Sequence, residues 1–181
     1  MSTLFFTSDT HFDHEKVIGF NDRPFGSVDE MNETLVENWN FTVGKNDWVY
    51  HLGDVSFRSH PKEWLRQLNG NIVVICGNHD SEKQLQQCVD EGVIRAWEHV
   101  KYKRWSGDRF FLSHYAHRVW RNSHHGSFHL YGHSHGDLEG MEWGRSMDVG
   151  VDACEYVPVH VNWVINQLSQ RDIVNHHIPK R

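Results

Sequence analysis

Five short apolar runs of this sequence end in polar residues that could bind a metal ion. These residues supply carboxylate, amide and imidazole groups, and they are Asp9, His11, Asp54, Asn78, His114, His133 and His135. Oxygen and imidazole donors without thiolate suit hard or borderline divalent ions. The spacings Asp9-x-His11 and His133-x-His135 place both members of a pair on one side of an extended segment, because side chains alternate along it. The pattern therefore indicates a site for two divalent ions.

The apolar runs that carry these residues are typical of buried strands. They cover residues 4–7, 48–52, 72–76, 109–113 and 128–131. In open α/β sheets, ligands bind outside the carboxyl ends of the strands. A glycine precedes Asp54, Asn78 and His133, which allows the chain to turn sharply as it leaves each strand. We therefore expect the five strand ends to converge on one crevice.

Helices and hairpins account for the rest of the chain. Residues 27–39 predict a helix that begins with a capping box of Ser27 and Glu30. Further helices are predicted at 61–68, 81–89 and 159–168, a hairpin at 100–105 and 109–112, and a strand at 147–151. Asp80 is expected to cap the helix at 81–89. The pattern predicts an α/β protein with a mixed sheet or two packed sheets, in a single domain over residues 1–181.

Composition excludes several classes of protein. The 181 residues carry a net charge of −6, which argues against binding to duplex nucleic acid. No apolar run approaches the roughly 20 residues that cross a bilayer, so we expect no membrane association. Three cysteines are too few for a disulfide framework, which favours a reducing cytoplasm. The sequence does not indicate the oligomeric state.

Taken in order, the polar strand ends resemble the five motifs of the calcineurin-like metallophosphoesterases. The matching motifs are Asp9-x-His11, Gly53-Asp54, Gly77-Asn78-His79-Asp80, His114 and Gly132-His133-x-His135. The Gly-Asn-His-Asp motif is the most specific of them, and the compact length is similar to that of the small bacterial and phage members. The resemblance implies a four-layer α/β/β/α sandwich with a di-metal centre at the edge between two sheets.

The resemblance also implies a role for each residue. Asp9, His11 and His135 would hold the first metal, and Asn78, His114 and His133 would hold the second. Asp54 would bridge both ions, and His79 would be the catalytic histidine. His79 is expected either to protonate the leaving oxygen or to help hold the phosphoryl oxygens. The implied reaction is hydrolysis of a phosphoric ester by a hydroxide that bridges the two ions. Manganese is the expected ion, and iron, nickel, cobalt and zinc also suit such donors.

Substrate recognition is expected to involve Asn78, His114, Arg58 and Trp120. Phe57-Arg58 stands where the protein-phosphatase branch of the family has Asp-Arg, which argues against protein-phosphatase activity. The guanidinium of Arg58 could still contact phosphate. Trp120 lies in a segment rich in basic and aromatic residues, where it would either stack on a nucleobase or pack in the core.

The favoured hypothesis is a phosphodiesterase that hydrolyses a small phosphodiester such as a cyclic nucleotide. A nuclease and a phosphomonoesterase of the same family are the alternative enzymes. A binding scaffold that has lost catalysis is an alternative of a different class. A site that has lost catalysis would lack metal ligands or the catalytic histidine. This chain retains all seven candidate ligands and His79.

Overall fold

The first sheet places the carboxyl ends of its parallel strands at one edge. The computed structural model describes residues 2–175. Within them the strand order is β4-β3-β2-β1-β9. The strands are β1 Leu4–Thr7, β2 Trp48–His51, β3 Asn71–Ile75, β4 Ala96–Glu98 and β9 Val159–His160. β1 to β4 are parallel, and β9 runs antiparallel to β1. The sequence predicted β1, β2 and β3 but not β4 or β9.

The second sheet combines the predicted hairpin with two parallel strands. Its order is β5-β6-β7-β8, with β5 Val100–Trp105, β6 Asp108–Ser113, β7 Phe128–Tyr131 and β8 Ser146–Asp148. Ser106 and Gly107 form the hairpin turn with φ values of 47° and 95°, as a tight two-residue turn with the strand twist requires. β6, β7 and β8 are parallel, so their carboxyl ends also share one edge. The strand predicted at 147–151 ends earlier, at Asp148.

Five α-helices occur in the described residues. They are α1 Glu15–Phe20, α2 Val28–Thr42, α3 Lys62–Leu65, α4 Glu82–Asp90 and α5 Val161–Ser169. At the start of α2, Ser27 accepts a hydrogen bond from the Glu30 backbone N–H at 3.1 Å, and the Glu30 carboxylate accepts one from Gly26 at 2.7 Å. α3 is shorter than the predicted helix, and α1 was not predicted. The segment 159–168 was predicted as one helix, but its first two residues form β9.

Two apolar layers hold the sandwich together. In one layer the facing surfaces of the two sheets pack together with α5. This layer includes Leu4, Phe6, Leu52, Phe110, Leu112, Leu130 and, from α5, Leu168. The opposite face of the first sheet packs against α2, α3 and α4 through residues such as Val49, Ile72, Leu35, Leu65 and Leu85. This arrangement confirms the predicted α/β sandwich of two packed sheets. The outer face of the second sheet is covered by residues 115–127, which contain one turn of 3₁₀ helix at Ser123–His125.

None of the helices within residues 2–175 is both long enough and apolar enough to cross a bilayer.

Candidate metal centre

Loops from both sheets meet at the shared edge and are joined by backbone hydrogen bonds. The Asp9 N–H donates to Gly53 O at 2.9 Å, and the His11 N–H donates to Asp54 O at 3.1 Å, which ties the loop after β1 to the loop after β2. His133 connects the two sheets, because its N–H donates to the Asp9 carboxylate at 2.9 Å. The convergence expected from the strand ends is therefore present in the structure.

The first group of candidate ligands consists of Asp9, His11 and His135. Each offers one donor atom, and the donor atoms lie within 4.8 Å of one another. Asp9 and His11 follow β1 in the first sheet, whereas His135 follows β7 in the second. The group could hold a metal ion only when the two sheets are packed together.

The second group consists of Asp54, His114 and His133, whose donor atoms also lie within 4.8 Å of one another. Asn78 adjoins this group, because its Oδ1 lies 2.9 Å from His114 Nε2. The other ring nitrogen of His114, Nδ1, lies 2.8 Å from Leu52 O. Since a carbonyl oxygen can only accept, Nδ1 carries a proton, and Nε2 is the ring nitrogen that could bind a metal ion beside the Asn78 oxygen.

One oxygen of Asp54 lies between the two groups. Asp54 Oδ2 is 3.6 Å from His11 Nε2 in the first group and 3.5 Å from His114 Nε2 in the second. Its other oxygen, Oδ1, accepts a hydrogen bond from the His79 backbone N–H at 2.9 Å. A carboxylate in this position could contact two ions at once.

Left-handed backbone conformations orient most of these side chains. The φ values are 56° for Asp9, 49° for His11, 57° for Asp54, 66° for His133 and 49° for His135. Such values are uncommon for residues other than glycine and are enriched at functional sites. Each loop turns sharply at its candidate ligand and directs the side chain into the shared edge.

Two glycines of the motifs leave no space for a side chain. A Cβ on Gly77 would stand 2.2 Å from Asp54 Oδ1, and a Cβ on Gly132 would stand 2.2 Å from Asp9 Oδ2. Distances below 3.0 Å do not occur for real Cβ atoms. These glycines are required by the close approach of the backbone to the carboxylates.

The donor atoms of the first group fit a cation. Asp9 Oδ1 and both ring nitrogens of His11 are buried and have no hydrogen-bond partner among the described residues. Burial raises the pKa of Asp9 to about 8 and lowers the pKa of His11 to about 2. A bound cation would satisfy Asp9 Oδ1 and one ring nitrogen of His11, and it would favour the ionised carboxylate, because a nearby positive charge lowers a carboxyl pKa. The oxygen and nitrogen donors suit manganese, iron, cobalt, nickel or zinc.

A buried ion pair, which the motifs did not reveal, supports His135. His135 Nδ1 lies 2.6 Å from Asp152 Oδ2, and Arg23 donates to both oxygens of Asp152 at 2.7 Å. Arg23 also donates to the backbone carbonyls of Asp9 and Thr10, at 2.8 and 3.1 Å. Burial alone would raise the pKa of Asp152, but the hydrogen bonds from His135 and Arg23 lower it.

The sequence carried one signal for Asp152 and none for Arg23. Asp152 follows a further predicted strand, at 147–151, just as the recognised candidates follow theirs. Arg23 lies in the loop after α1, a helix that the sequence did not predict.

Asp80 has a different role from the predicted one. The residue at the start of α4 is Ser81, so the expectation that Asp80 caps this helix is wrong. The Asp80 carboxylate instead accepts hydrogen bonds from the backbone N–H groups of Gly77, Asp54 and Val55, at 2.9, 2.8 and 3.0 Å. Asp80 therefore fastens the loop after β3 to the loop after β2.

A cleft of 460 Å³ opens over the candidate metal centre. His79 and Arg58 line it, together with residues of α1 and with four of the candidate ligands, His11, His135, Asp54 and His133. Trp120 does not line the cleft. Its side chain is 6% exposed, and its Nε1 donates to Ser127 O at 3.1 Å in the layer outside the second sheet. Of the two alternatives for Trp120, the structure shows the core position, so its ring offers no face to a base in the cleft.

Comparisons with known proteins find relatives that align over almost the whole chain. No family model matches the chain. The protein MJ1445 of Methanocaldococcus jannaschii, described as uncharacterized, is 31% identical over 96% of this chain and 96% of its own length. The gene 66 protein of Mycobacterium phage L5 is 28% identical over 97% of this chain and 96% of its own length.

A solved structure shares the fold. The protein of unknown function AQ665 from Aquifex aeolicus superposes with a TM-score of 0.71 and 21% identity, over 92% of this chain and all of that one. The two packed sheets and the paired Asp/His groups at their common edge form the arrangement that the resemblance to the calcineurin-like metallophosphoesterases implies. The chain belongs to the same family as MJ1445, with which it shares 31% identity over almost the whole length of both chains.

Proposed function

We propose that this protein is a di-metal phosphodiesterase that hydrolyses a small phosphodiester such as a nucleotide. The observation that carries the proposal is the position of Asp54 Oδ2, within 3.6 Å of a histidine nitrogen in each ligand group. One carboxylate oxygen between two cation sites suits a two-metal centre, in which both oxygens of an in-line displacement are stabilised together.

In this proposal the ligands divide as the two groups suggest. Asp9, His11 and His135 hold one ion, Asn78, His114 and His133 hold the other, and Asp54 contacts both. When bound, the two ions supply positive charge to the phosphoryl oxygens and acidify a water molecule. Manganese is the proposed ion, and iron, nickel, cobalt and zinc are chemically compatible with the same donors.

His79 is proposed to act as the general acid. Its ring lies in the cleft, with its centroid 5.6 Å from that of the His11 ring, and its backbone N–H is held by Asp54. A protonated imidazole there can donate to the oxygen of the departing group. Removal of a general acid costs about 10²–10⁴-fold in rate.

Cationic side chains around the cleft could contact a phosphate group. Lys16 and Arg58 line the cleft, together with the carboxylates of Glu15 and Asp54. Arg58 can pair with one phosphoryl oxygen through its planar fork. The net charge of −6 disfavours a long polyanion such as duplex DNA.

The activity is tested with bis-(p-nitrophenyl) phosphate and p-nitrophenyl phosphate on protein stripped of metal and reloaded with manganese. We expect a strong preference for the diester. Preference for the monoester would assign the protein as a phosphatase. The absence of turnover on either ester, with two ions bound, would support a non-catalytic scaffold.

The role of His79 is tested in the same assay with His79→Ala. The variant should still bind two equivalents of manganese but lose about 10²–10⁴-fold in rate. His99→Ala is the matched control, because His99 is an exposed histidine that pairs with Glu82 at the surface. A wild-type rate for His79→Ala would contradict the assignment.

A cytoplasmic location is proposed from the cysteines. Cys76, Cys88 and Cys154 are all free thiols. Free thiols without disulfides are typical of a reducing compartment.

A further inference from the structure

One wall of the cleft is made of aromatic rings that the proposed chemistry does not use. Phe20, at the end of α1, is 75% exposed, and Phe57, after β2, is 45% exposed. His14 lies between them. Its ring stacks on Phe57 with centroids 3.9 Å apart at 14°, and it meets Phe20 edge-on at 6.4 Å. These three residues are called the aromatic wall below.

Neighbouring groups hold the aromatic wall in place. The Phe57 ring has His14 on one side, and its edge contacts the His79 ring at 5.4 Å. The Phe57 backbone N–H donates to Phe12 O at 2.9 Å, which fixes the loop that carries it. A ring that is already held loses little freedom when a ligand stacks on it, and such preorganisation favours binding.

The wall also lies directly beside the proposed reaction centre. The His14 ring is 5.4 Å from the ring of His11, a candidate metal ligand, and Phe57 contacts His79, the proposed general acid. Arg58, next to Phe57 in sequence, lines the same cleft. A phosphate held at the centre would therefore bring its ester substituent against the wall.

We propose that the aromatic wall binds a nucleobase carried on one arm of the phosphodiester. The substrate class is then the nucleoside phosphodiesters, and Phe57 and Phe20 are its specificity-determining residues. A nucleobase fits because every base has a flat face that stacks on aromatic side chains, while Arg58 meets the phosphate of the same molecule. The inference rests on the proposed phosphodiesterase function and assigns to Phe20 and Phe57 the stacking role that Trp120 cannot fill.

The kinetic test compares two esters that share a leaving group and differ in the base. They are thymidine 5′-(p-nitrophenyl phosphate) and ethyl p-nitrophenyl phosphate, assayed with manganese-loaded protein. The wild type should prefer the thymidine ester in kcat/KM. Phe57→Leu keeps apolar volume but removes the ring, and it should reduce this preference about 5- to 150-fold, mainly through KM.

Three further variants make the test specific. Phe20→Leu should also reduce the preference for the thymidine ester. Phe57→Tyr, which keeps a ring, should retain this preference. Phe41→Leu is the matched control, because Phe41 is 96% exposed on α2 and does not line the cleft. A preference that is unchanged in both Phe57→Leu and Phe20→Leu would overturn the inference.

Equilibrium binding separates this inference from the proposed activity. The probes are the non-hydrolysable methylene phosphonate analogues of adenosine 5′-monophosphate and of ribose 5-phosphate. In manganese-loaded wild type the adenosine analogue should bind at least about 5-fold more tightly than the ribose analogue, and Phe57→Leu should abolish the difference. Equal affinities in the wild type would overturn the inference whether or not any ester is hydrolysed. A clear difference in a protein that hydrolyses neither ester would refute the proposed activity alone.

Discussion

Replacement of Asp152 by Asn should weaken one metal site selectively. Asp152 accepts three hydrogen bonds at 2.6–2.7 Å, two from Arg23 and one from His135 Nδ1. Because the carboxylate can only accept, His135 keeps its proton on Nδ1 and leaves Nε2 for a metal. Asn has one acceptor oxygen, so its NH₂ group must face a donor of Arg23 or His135. Either arrangement disturbs the orientation or the tautomer of His135.

The expected magnitudes follow from this geometry. Loss of a partner behind a metal-binding histidine weakens metal affinity about 10- to 100-fold. The variant also leaves the Arg23 side chain, which is 0% exposed, without a counter-charge. Breaking a buried ion pair costs about 3–5 kcal/mol. Each kcal/mol lowers Tm by about 2–4 °C in a protein of this size, so we expect a decrease of roughly 6–20 °C.

Manganese titration by calorimetry and thermal unfolding of the metal-free protein measure the two effects. One of the two manganese equivalents should weaken, while the site of Asp54, His114 and His133 keeps its affinity. Glu91→Gln is the control, because Glu91 pairs with Lys62 and Arg66 at the surface, where such pairs contribute under about 1 kcal/mol. Two equivalents of wild-type affinity in Asp152→Asn would refute the reasoning, even if Tm falls.

Three further predictions concern the loops and the core. Gly77→Ala, whose Cβ would stand 2.2 Å from Asp54 Oδ1, should abolish manganese binding at both sites, whereas Gly19→Ala, with nothing within 4 Å, should bind two equivalents; equal binding in the two variants would contradict this. Asp80→Asn should lower the free energy of unfolding by about 1–3 kcal/mol in urea titrations, because buried N–H groups lose their acceptor; an unchanged value would refute its role between the loops. Burial lowers the pKa of His129 to about 3, while the unfolded value is about 6.5, so the unfolded chain binds the extra proton and stability falls as the pH drops from 6.5 towards 3. His129→Gln should remove about 1.4 kcal/mol per pH unit from that dependence in denaturation curves between pH 6 and 4, and an unaltered slope would show that another group causes it.

The candidate ligands could be predicted because their positions depend on local rules. A short apolar run followed by Asp or His predicts a strand end, and parallel strands bring such ends to one edge. Asp54 between His11 and His114 is the outcome of that rule in both sheets. The β5–β6 hairpin could be predicted for a similar reason, because a local feature, the two-residue turn at Ser106 and Gly107, sets its register.

The features that the sequence did not predict leave no local pattern in it. Asp80 bonds to Asp54 and Val55, 26 and 25 residues away, and the sequence alone shows only a polar residue before a helix. Trp120 pairs with Ser127 inside a loop whose path no periodicity reveals. α1 has six residues and no side-chain cap, so it lacks the signals by which a helix is recognised. The aromatic wall depends on that helix and was therefore not foreseen.

The left-handed backbones at the metal centre have a thermodynamic consequence. A residue with a Cβ pays about 1–2 kcal/mol for this conformation, and five of the candidate ligands adopt it. Their total of about 5–10 kcal/mol is comparable with the 5–15 kcal/mol by which a typical domain is stable. Glycine at these positions would remove the backbone strain. The donor side chains of the site therefore lower the stability of the metal-free fold. Cations that bind only the folded chain would offset this cost. The metal-loaded protein should therefore be markedly more stable against unfolding than the metal-free protein.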